Sequence, residues 1–345
     1  MPAGTQDVII IGGGIIGGSI AWRLAQAGMS VTLVDAGAWG GEASWAGAGM
    51  LAPGGEIAGG SRWAAFTLES LGLYPEFVDE LADETDLGID YRRCGAMEIA
   101  RTETEWQDLL ARRAAQTDLG IRAEIVPGGL FYPGDALVDP RDVTHALRCA
   151  CERRGVRILE HTRVTAVRAT GAGAEVETTG GILSGPAAVL AAGAWSGAIP
   201  IAGPEGRIEI PATFPVRGHL LGYALEPGTV GPIQRHGHTY VMQRSSGFTI
   251  AGTSSEQVGF DRALDPAIVE DIRARAGELV PRLRSAAEPT AWLGFRPATA
   301  GFEPAIGRVG DACLWLAYGH YRNGILLAPA TAKRVAGEIA AARRS

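Results

Sequence analysis

The chain has 345 residues, which at roughly 150 residues per domain suggests two domains and a core large enough to fold without disulfides or metal. With 46% hydrophobic and 20% charged residues it reads as globular rather than disordered. Its 31 Lys and Arg against 38 Asp and Glu leave a net charge of −7, which argues against nucleic acid as a partner, because phosphate recognition needs a basic surface.

Val8-Ile9-Ile10-Ile11 is an unbroken apolar run, the pattern of a strand buried on both faces of a parallel sheet. Gly12, Gly14 and Gly17 follow at G-x-G-x-x-G spacing, with Ile15 and Ile16 between them. Ile20, Leu24 and Ala27 then repeat at helical spacing, Gly28 stops the helix, and Val31–Val34 gives a second strand ending in Asp35 and Ala36. The acid lies 18 residues after Gly17. Such a β-α-β unit binds dinucleotides. Gly12 permits the tight turn, Gly14 lets the backbone approach a pyrophosphate, and Gly17 lets helix and strand pack closely. The helix N-terminus offers N–H groups and positive dipole to the phosphates, and Asp35 offers acceptors to a ribose.

Gly40 to Leu51, which includes Ala43, Ser44, Ala48, Gly49 and Met50, consists mostly of small residues, so backbone must pass close to something large and flat. Tyr74, Phe77, Val78 and Leu81 mark an amphipathic helix, and Tyr91 to Ala100 alternates like a strand. Asp139-Pro140 and Asp265-Pro266 are N-caps followed by proline at the first helical position. The first of these helices ends at Gly155, and a strand is expected over Val156 to His161. A hairpin is expected around Gly171-Ala172-Gly173, a buried strand over Ala187 to Ala192, and a last helix from about Leu327 to Ala341.

Cys94, Cys149, Cys151 and Cys313 show no metal spacing, and none of the six histidines forms a metal-binding pair, so no metal is expected. The cysteines read as buried thiols of a reducing compartment, with Cys313 in a buried strand. No basic-then-apolar leader opens the chain. The longest uncharged run, between Glu177 and Glu205, is broken by prolines and glycines, and its apolar centre falls short of the ~20 residues of a membrane span. These features lead us to expect a soluble, cytoplasmic protein with no membrane partner.

Three segments carry a family resemblance: Val8 to Pro53, Val189 to Ser196 with Gly193 inside it, and Gly294 to Pro329. The most specific is the tail Gly319-His320-Tyr321-Arg322-Asn323-Gly324-Ile325-Leu326. In order and spacing the chain resembles the D-amino acid oxidase family of FAD flavoproteins, and within it the glycine-oxidising branch. The resemblance implies an α/β fold in which a Rossmann-like FAD-binding domain (residues 1–82, 140–208 and 288–345) is interleaved with a mostly antiparallel α+β substrate domain (residues 83–139 and 209–287).

The resemblance also assigns roles. Arg296 would clamp the substrate carboxylate with its planar fork, Tyr240 would share that carboxylate, and Arg322 would lie near the flavin and the substrate amino group. Val164 would contact adenine, Ala48 to Met50 would line one side of the flavin, and the tail helix would turn its positive end to the other. His320 sits inside the flavin motif, though hydride transfer from Cα to flavin N5 requires no base. No cysteine sits where covalently flavinylated relatives attach FAD, so the cofactor is expected to be non-covalent. Glycine, sarcosine and D-alanine are the implied substrates and molecular oxygen the implied acceptor. The products would be hydrogen peroxide, glyoxylate and ammonia, with a role in supplying the imine for the thiazole of thiamine. A quinone-linked D-amino acid dehydrogenase and a non-catalytic flavin scaffold are the competing readings, and a homo-oligomer is compatible with both. Two positions depart from the family pattern. Ser255 stands where a bulkier residue is usual, and His219 where Gln or Glu is commoner; both are expected to alter the pocket.

Overall fold

We describe residues 6–344 from a computed structural model. Six strands form the first sheet, in the order Ala305–Arg308, Leu314–Tyr318, Ala187–Leu190, Val8–Ile11, Val31–Val34, Arg157–Leu159. All neighbours are parallel except the edge strand Ala305–Arg308. Successive side chains of a strand point to opposite faces, and here both faces are covered. Val8 and Ile10 pack into a core with Ile20, Tyr74, Leu147 and Val335, contributed by the helices Ile15–Gln26, Arg62–Thr85, Pro140–Arg153 and Gly324–Ala342. Ile9 and Ile11 pack the other way, against Val167, Val176 and Ile201 of a separate five-stranded sheet. Each fully buried isoleucine contributes about 1.5–3 kcal/mol, which accounts for the absence of any polar residue in this run.

The eight-stranded sheet runs Thr290–Thr299, Thr213–Ala224, Phe248–Gly252, Thr239–Gln243, Ile233–His236, Ala96–Ile99, Gly129–Tyr132, Glu124–Val126. Its longest pairing is antiparallel, from Thr213↔Thr299 to Gly222↔Thr290. One face, with Leu221, Val241 and Ala251, packs on Ile272 and Ala276 of the helix Pro266–Leu279. The other face, with Leu220, Tyr240, Ile250 and Trp292, packs toward Ala46 and Ala48 of the small-residue stretch. A three-stranded sheet, Met50–Leu51, Ala136–Val138 and Tyr91–Arg92, joins the two halves.

Several expectations are revised. The segment Tyr91 to Ala100 is two strands, because Gly95 at φ +71° breaks it between Arg92 and Ala96. The strand Thr290–Thr299, grouped by sequence with the flavin segments, pairs with Thr213–Ala224 in the antiparallel sheet. The tail helix begins at Gly324, three residues before Leu327, and the strand expected over Val156 to His161 is confined to Arg157–Leu159. Glu103–Thr117 is an unforeseen helix whose Thr102–Glu105 capping box was legible in the sequence, but whose buried face is only Leu109 and Gln116. Cys151 is buried, whereas Cys94, Cys149 and Cys313 are half-buried; Cys313 precedes its strand instead of lying within it. Among the described residues no helix is long and apolar enough to cross a membrane.

The first helix and strand cross where Gly17 meets Gly12. A Cβ built on Gly17 would lie 1.9 Å from the Gly12 carbonyl oxygen, a contact that backbone must move to relieve. Gly17→Ala is therefore expected to cost at least the ~1–3 kcal/mol of core overpacking. A thermal melt of the purified protein and its bound-flavin absorbance should both fall; unchanged values would overturn this account of the crossing.

Candidate active site

A cleft of about 1640 Å³ runs between the C-terminal ends of the parallel strands and the front of the antiparallel sheet. At one end stand Gly12, Gly14, Ile15 and Ile16, then Asp35, Ala36, Ala43 and Ser44, with Val164 and Gly193 nearby. Gly14 is the N-cap of the first helix and offers no side-chain cap. Ser44 Oγ accepts the Ile15 N–H at 2.9 Å, reaching in from the small-residue stretch. Asp35 accepts two backbone N–H groups, Gly13 on Oδ2 and Gly37 on Oδ1, both at 2.7 Å. These bonds set the turn rigidly and leave the remaining carboxylate lone pairs for a ligand. The first-turn N–H groups that Ser44 does not take, with the helix dipole behind them, suit a pyrophosphate.

Farther along, Ala48, Gly49 and Met50 line the cleft through nearly bare backbone. Gly49 has φ +95°, and a Cβ there would meet the Val138 carbonyl oxygen at 1.9 Å, so no other residue fits. The stretch is held from behind. Trp292 Nε1 donates to the Ala46 carbonyl at 3.0 Å, and the buried Arg244 donates to the carbonyls of Ala48 and Val138. On the facing side, His320, Tyr321, Arg322, Asn323, Gly324 and Ile325 line the cleft. Asn323 N-caps the tail helix without a side-chain bond, so its dipole and first N–H groups are open to a ligand. His320 is buried with Nε2 3.1 Å from Thr331 Oγ1, and burial pulls its pKa down to about 3, so it stays neutral. Gly17 and Leu326 are off the cleft wall: Gly17 lies in the first turn of its helix on the side facing Gly12, and Leu326 is fully buried in the core.

The far end is electrostatically distinctive. Arg296 sits opposite Val216 in the register, and its guanidinium lies flat over Gly218, where a Cβ would come within 2.3 Å of Nη2. Nη2 donates to Thr253 Oγ1 at 2.7 Å and Nη1 to the Ser254 carbonyl at 3.1 Å. Burial lowers its pKa from the ordinary arginine value. Eight arginines line the cleft, and six of them pair with carboxylates: Arg101 with Glu278, Arg112 and Arg235 with Glu98, Arg262 with Glu42, Arg275 with Asp271, and Arg322 with Glu56. Of these eight, Arg163, beside Val164, and Arg296 are the two with no carboxylate partner among the described residues. An uncompensated cation away from bulk water favours an anion against it. Tyr240, packed beside Gly252, is buried, and that burial pushes its pKa up to about 12, so its hydroxyl remains a donor.

Arg322 does line the cleft, yet its guanidinium is committed to Glu56. Ser254 and Ser255 both line the cleft, although the Ser254 hydroxyl is turned back to Glu256 and His219. His219 does not: along Thr213–Ala224, Gly218 and Leu220 point into the cleft and His219 points away. Sequence reasoning missed Thr253 and Ser254 as the supports of Arg296, and Glu56 as the partner of Arg322. No local pattern marks them, because each is recruited from a distant strand or loop. Gly218, beside Arg217, was the one visible hint.

A doubly wound sheet with a small-residue cradle, two helix N-termini aimed at the cleft and a half-buried arginine without a carboxylate partner fits a flavoprotein oxidoreductase. The family model described as FAD dependent oxidoreductase (DAO) matches residues 7–338, and the chain belongs to that family. It is 31% identical over 349 residues to glycine oxidase of Geobacillus kaustophilus, covering 96% of this chain and 92% of that protein. It is 36% identical to the bifunctional protein ThiO/ThiG of Synechocystis sp., covering 95% of this chain but 50% of that longer protein. The crystal structure of the Geobacillus glycine oxidase superposes with TM-score 0.91 at 30% identity, over 98% of this chain and 95% of that one. The protein is an FAD-dependent, amine-oxidising oxidoreductase of the glycine oxidase type, and the uncapped helix starts, Asp35 and the bare Ala48–Met50 backbone fit that cofactor.

Asp35→Asn tests the cofactor end. An amide oxygen can serve one of the two N–H groups, while the amide nitrogen would face the other donor. Leaving a buried donor unpaired costs ~1–3 kcal/mol. FAD affinity, read by fluorescence on reconstituting the apoprotein, is expected to weaken at least fivefold; an unchanged Kd would show that Asp35 does not organise this site.

Proposed function

We propose that this enzyme oxidises glycine and other small amines that carry a carboxylate, such as sarcosine and D-alanine, with non-covalent FAD and molecular oxygen. The observation that carries the reading is the unpaired guanidinium of Arg296 beside the Tyr240 hydroxyl, on a wall where the neighbouring arginines are already neutralised. A substrate carboxylate completes that ion pair, with the fork of Arg296 meeting both oxygens and Tyr240 donating to one of them. With the carboxylate pinned, Cα is directed along the cleft toward the Ala48–Met50 wall. Ser254 and Ser255 bound the space left for a side chain.

Bound FAD supplies the acceptor for a hydride from Cα. Losing that hydride turns a neutral amine into an iminium ion, which sheds a proton to give the imine; water splits the imine of glycine into glyoxylate and ammonia. Oxygen takes up the two electrons with two protons and leaves as hydrogen peroxide. The buried, neutral His320 is not required as a base if the amine arrives already neutral. Hydrogen bonds within the chain hold the reacting groups in place, so catalysis rests on orientation. By analogy with the ThiO/ThiG relative, the imine would feed the thiazole of thiamine.

Arg296→Ala is expected to keep FAD and fold while lowering kcat/KM for glycine at least tenfold to a hundredfold, from charge-assisted hydrogen bonds worth about 1.5–3 kcal/mol. Arg296→Lys should recover part of the loss, since an ammonium lacks the fork. Normal kinetics for Arg296→Ala on every amino acid would remove the clamp assignment.

Oxygen uptake and peroxide release, measured across glycine, sarcosine and D- and L-amino acids, should favour the smallest substrates. The decline with side-chain size should be graded, because one methylene changes binding by ~1–3 kcal/mol. Rapid oxidation of D-phenylalanine without glycine activity would overturn the substrate assignment. So would turnover that needs a quinone and consumes no oxygen, for the acceptor. Acid precipitation should release all of the FAD to the supernatant; yellow pellets would mean a covalent bond.

A further inference from the structure

Behind the cleft, on the other face of Thr213–Ala224, lies a polar cluster with no part in the proposed reaction. His219 is fully buried and Arg217 is 5% exposed. Glu256 Oε2 accepts from Arg217 Nε at 2.9 Å and from Nη2. Glu256 Oε1 accepts the Ser254 hydroxyl at 2.5 Å and lies 3.0 Å from His219 Nδ1. On the opposite edge of the ring, the Asp265 N–H donates to His219 Nε2 at 3.1 Å. That donation fixes the tautomer: Nε2 carries no proton, so Nδ1 carries it and faces Glu256.

The two contacts of the ring have one structural meaning. Residues 253–265 connect the strand Phe248–Gly252 to the helix Pro266–Leu279 without regular secondary structure, and residues 257–264 are exposed. His219 touches this strap at both ends, at Ser254 and Glu256 on one side and at Asp265, the helix N-cap, on the other. Arg217 grips its middle through Asp261 Oδ2 at 2.7 Å and the Ala263 carbonyl at 3.1 Å. Farther out, Phe260 stacks on Trp195 at 4.6 Å, so the strap also leans on the flavin-binding half.

The first two residues of the strap are the ones that hold Arg296. Thr253 Oγ1 accepts from its Nη2 and donates to the His219 carbonyl at 3.0 Å, and the Ser254 carbonyl accepts from Nη1. Hydrogen bonds thus run from the buried imidazole through Glu256 to the Ser254 hydroxyl, and the carbonyl of the same residue accepts from the guanidinium in the cleft. The imidazole, bonded through both ring nitrogens, stands at a position where the family pattern favours Gln or Glu.

We propose that His219 is a positioning residue for the carboxylate clamp, setting the Thr253–Ser254 backbone that aims Arg296. The proposal rests on the reading of Arg296 given above. An interaction that grips the carboxylate equally before and during reaction changes KM more than kcat, and His219 should show that signature at one remove.

The test uses the holoenzyme and acetate, which has the carboxylate and no amine to oxidise, titrated by its perturbation of the flavin absorbance. His219→Ala is expected to retain FAD and to raise the acetate Kd and the glycine KM together, by about five- to twentyfold, with kcat within threefold of the parent. His219→Gln, which can still donate to Glu256, should recover most of the affinity. Glu256→Gln keeps the shape of the hub but removes its charge, and should weaken acetate at least threefold; it decides the matter if His219→Ala does not fold. In an Arg296→Ala background, His219→Ala should change kcat/KM by less than twofold, because the residue acts through the arginine. Parent-like acetate binding in both His219→Ala and Glu256→Gln, with Arg296→Ala impaired, would overturn the positioning role alone. If Arg296→Ala also binds acetate normally, the clamp reading itself falls.

Discussion

The structure depends on one strand being buried on both faces. Val8–Ile11 has helices packed on one side and a second sheet on the other, so it cannot shift register or tilt without exposing isoleucine. Its C-terminal end therefore delivers Gly12 and the following helix to a fixed point in space. The cofactor cradle is built outward from there, with Ser44 returning to cap Ile15 and Asp35 binding the loop at Gly13 and Gly37. The 1.9 Å approach at Gly17 shows how little slack this arrangement has. Rigidity matters because a flavin must present one atom to the substrate at near contact.

Charge organises the rest of the cleft. Its wall carries many arginines, yet most are cancelled by glutamates and aspartates close by. The result is a channel whose positive charge is left uncancelled at Arg163 and at Arg296. Recognition of a small substrate with a single carboxylate requires such contrast, since a uniformly basic channel would hold carboxylates anywhere along its length. The guanidinium of Arg296 is supported by neutral oxygens, a hydroxyl and a carbonyl, which orient it without neutralising it.

Around that spot the protein places its support on the reverse of the sheet. Arg217 and His219 are buried away from solvent and substrate, and through the half-buried Glu256 they bind a strap otherwise short of regular hydrogen bonds. A loop supplies the acceptors of Arg296, and the scaffold beneath supplies the rigidity that the loop lacks.

The sequence by itself determined the nucleotide-binding half. The apolar run, the three glycines, Asp35 and the small-residue stretch act within about fifty residues of one another, and each carries a local steric or dipolar requirement that a single residue type meets. The N-caps at Asp139 and Asp265 were legible for the same reason: a side chain bonds a backbone N–H two residues away. Arg296 and Tyr240 could be named from the family pattern, but their pairing into a site is a matter of register, through Val216↔Arg296 and Tyr240↔Gly252. Tertiary structure alone decided that Arg322 goes to Glu56, that His219 faces away from the cleft, that Gly17 and Leu326 lie off the wall, and that Thr253 and Ser254 hold Arg296. These outcomes rest on which face of a strand a residue occupies and which distant carboxylate reaches it, and no spacing along the chain encodes either.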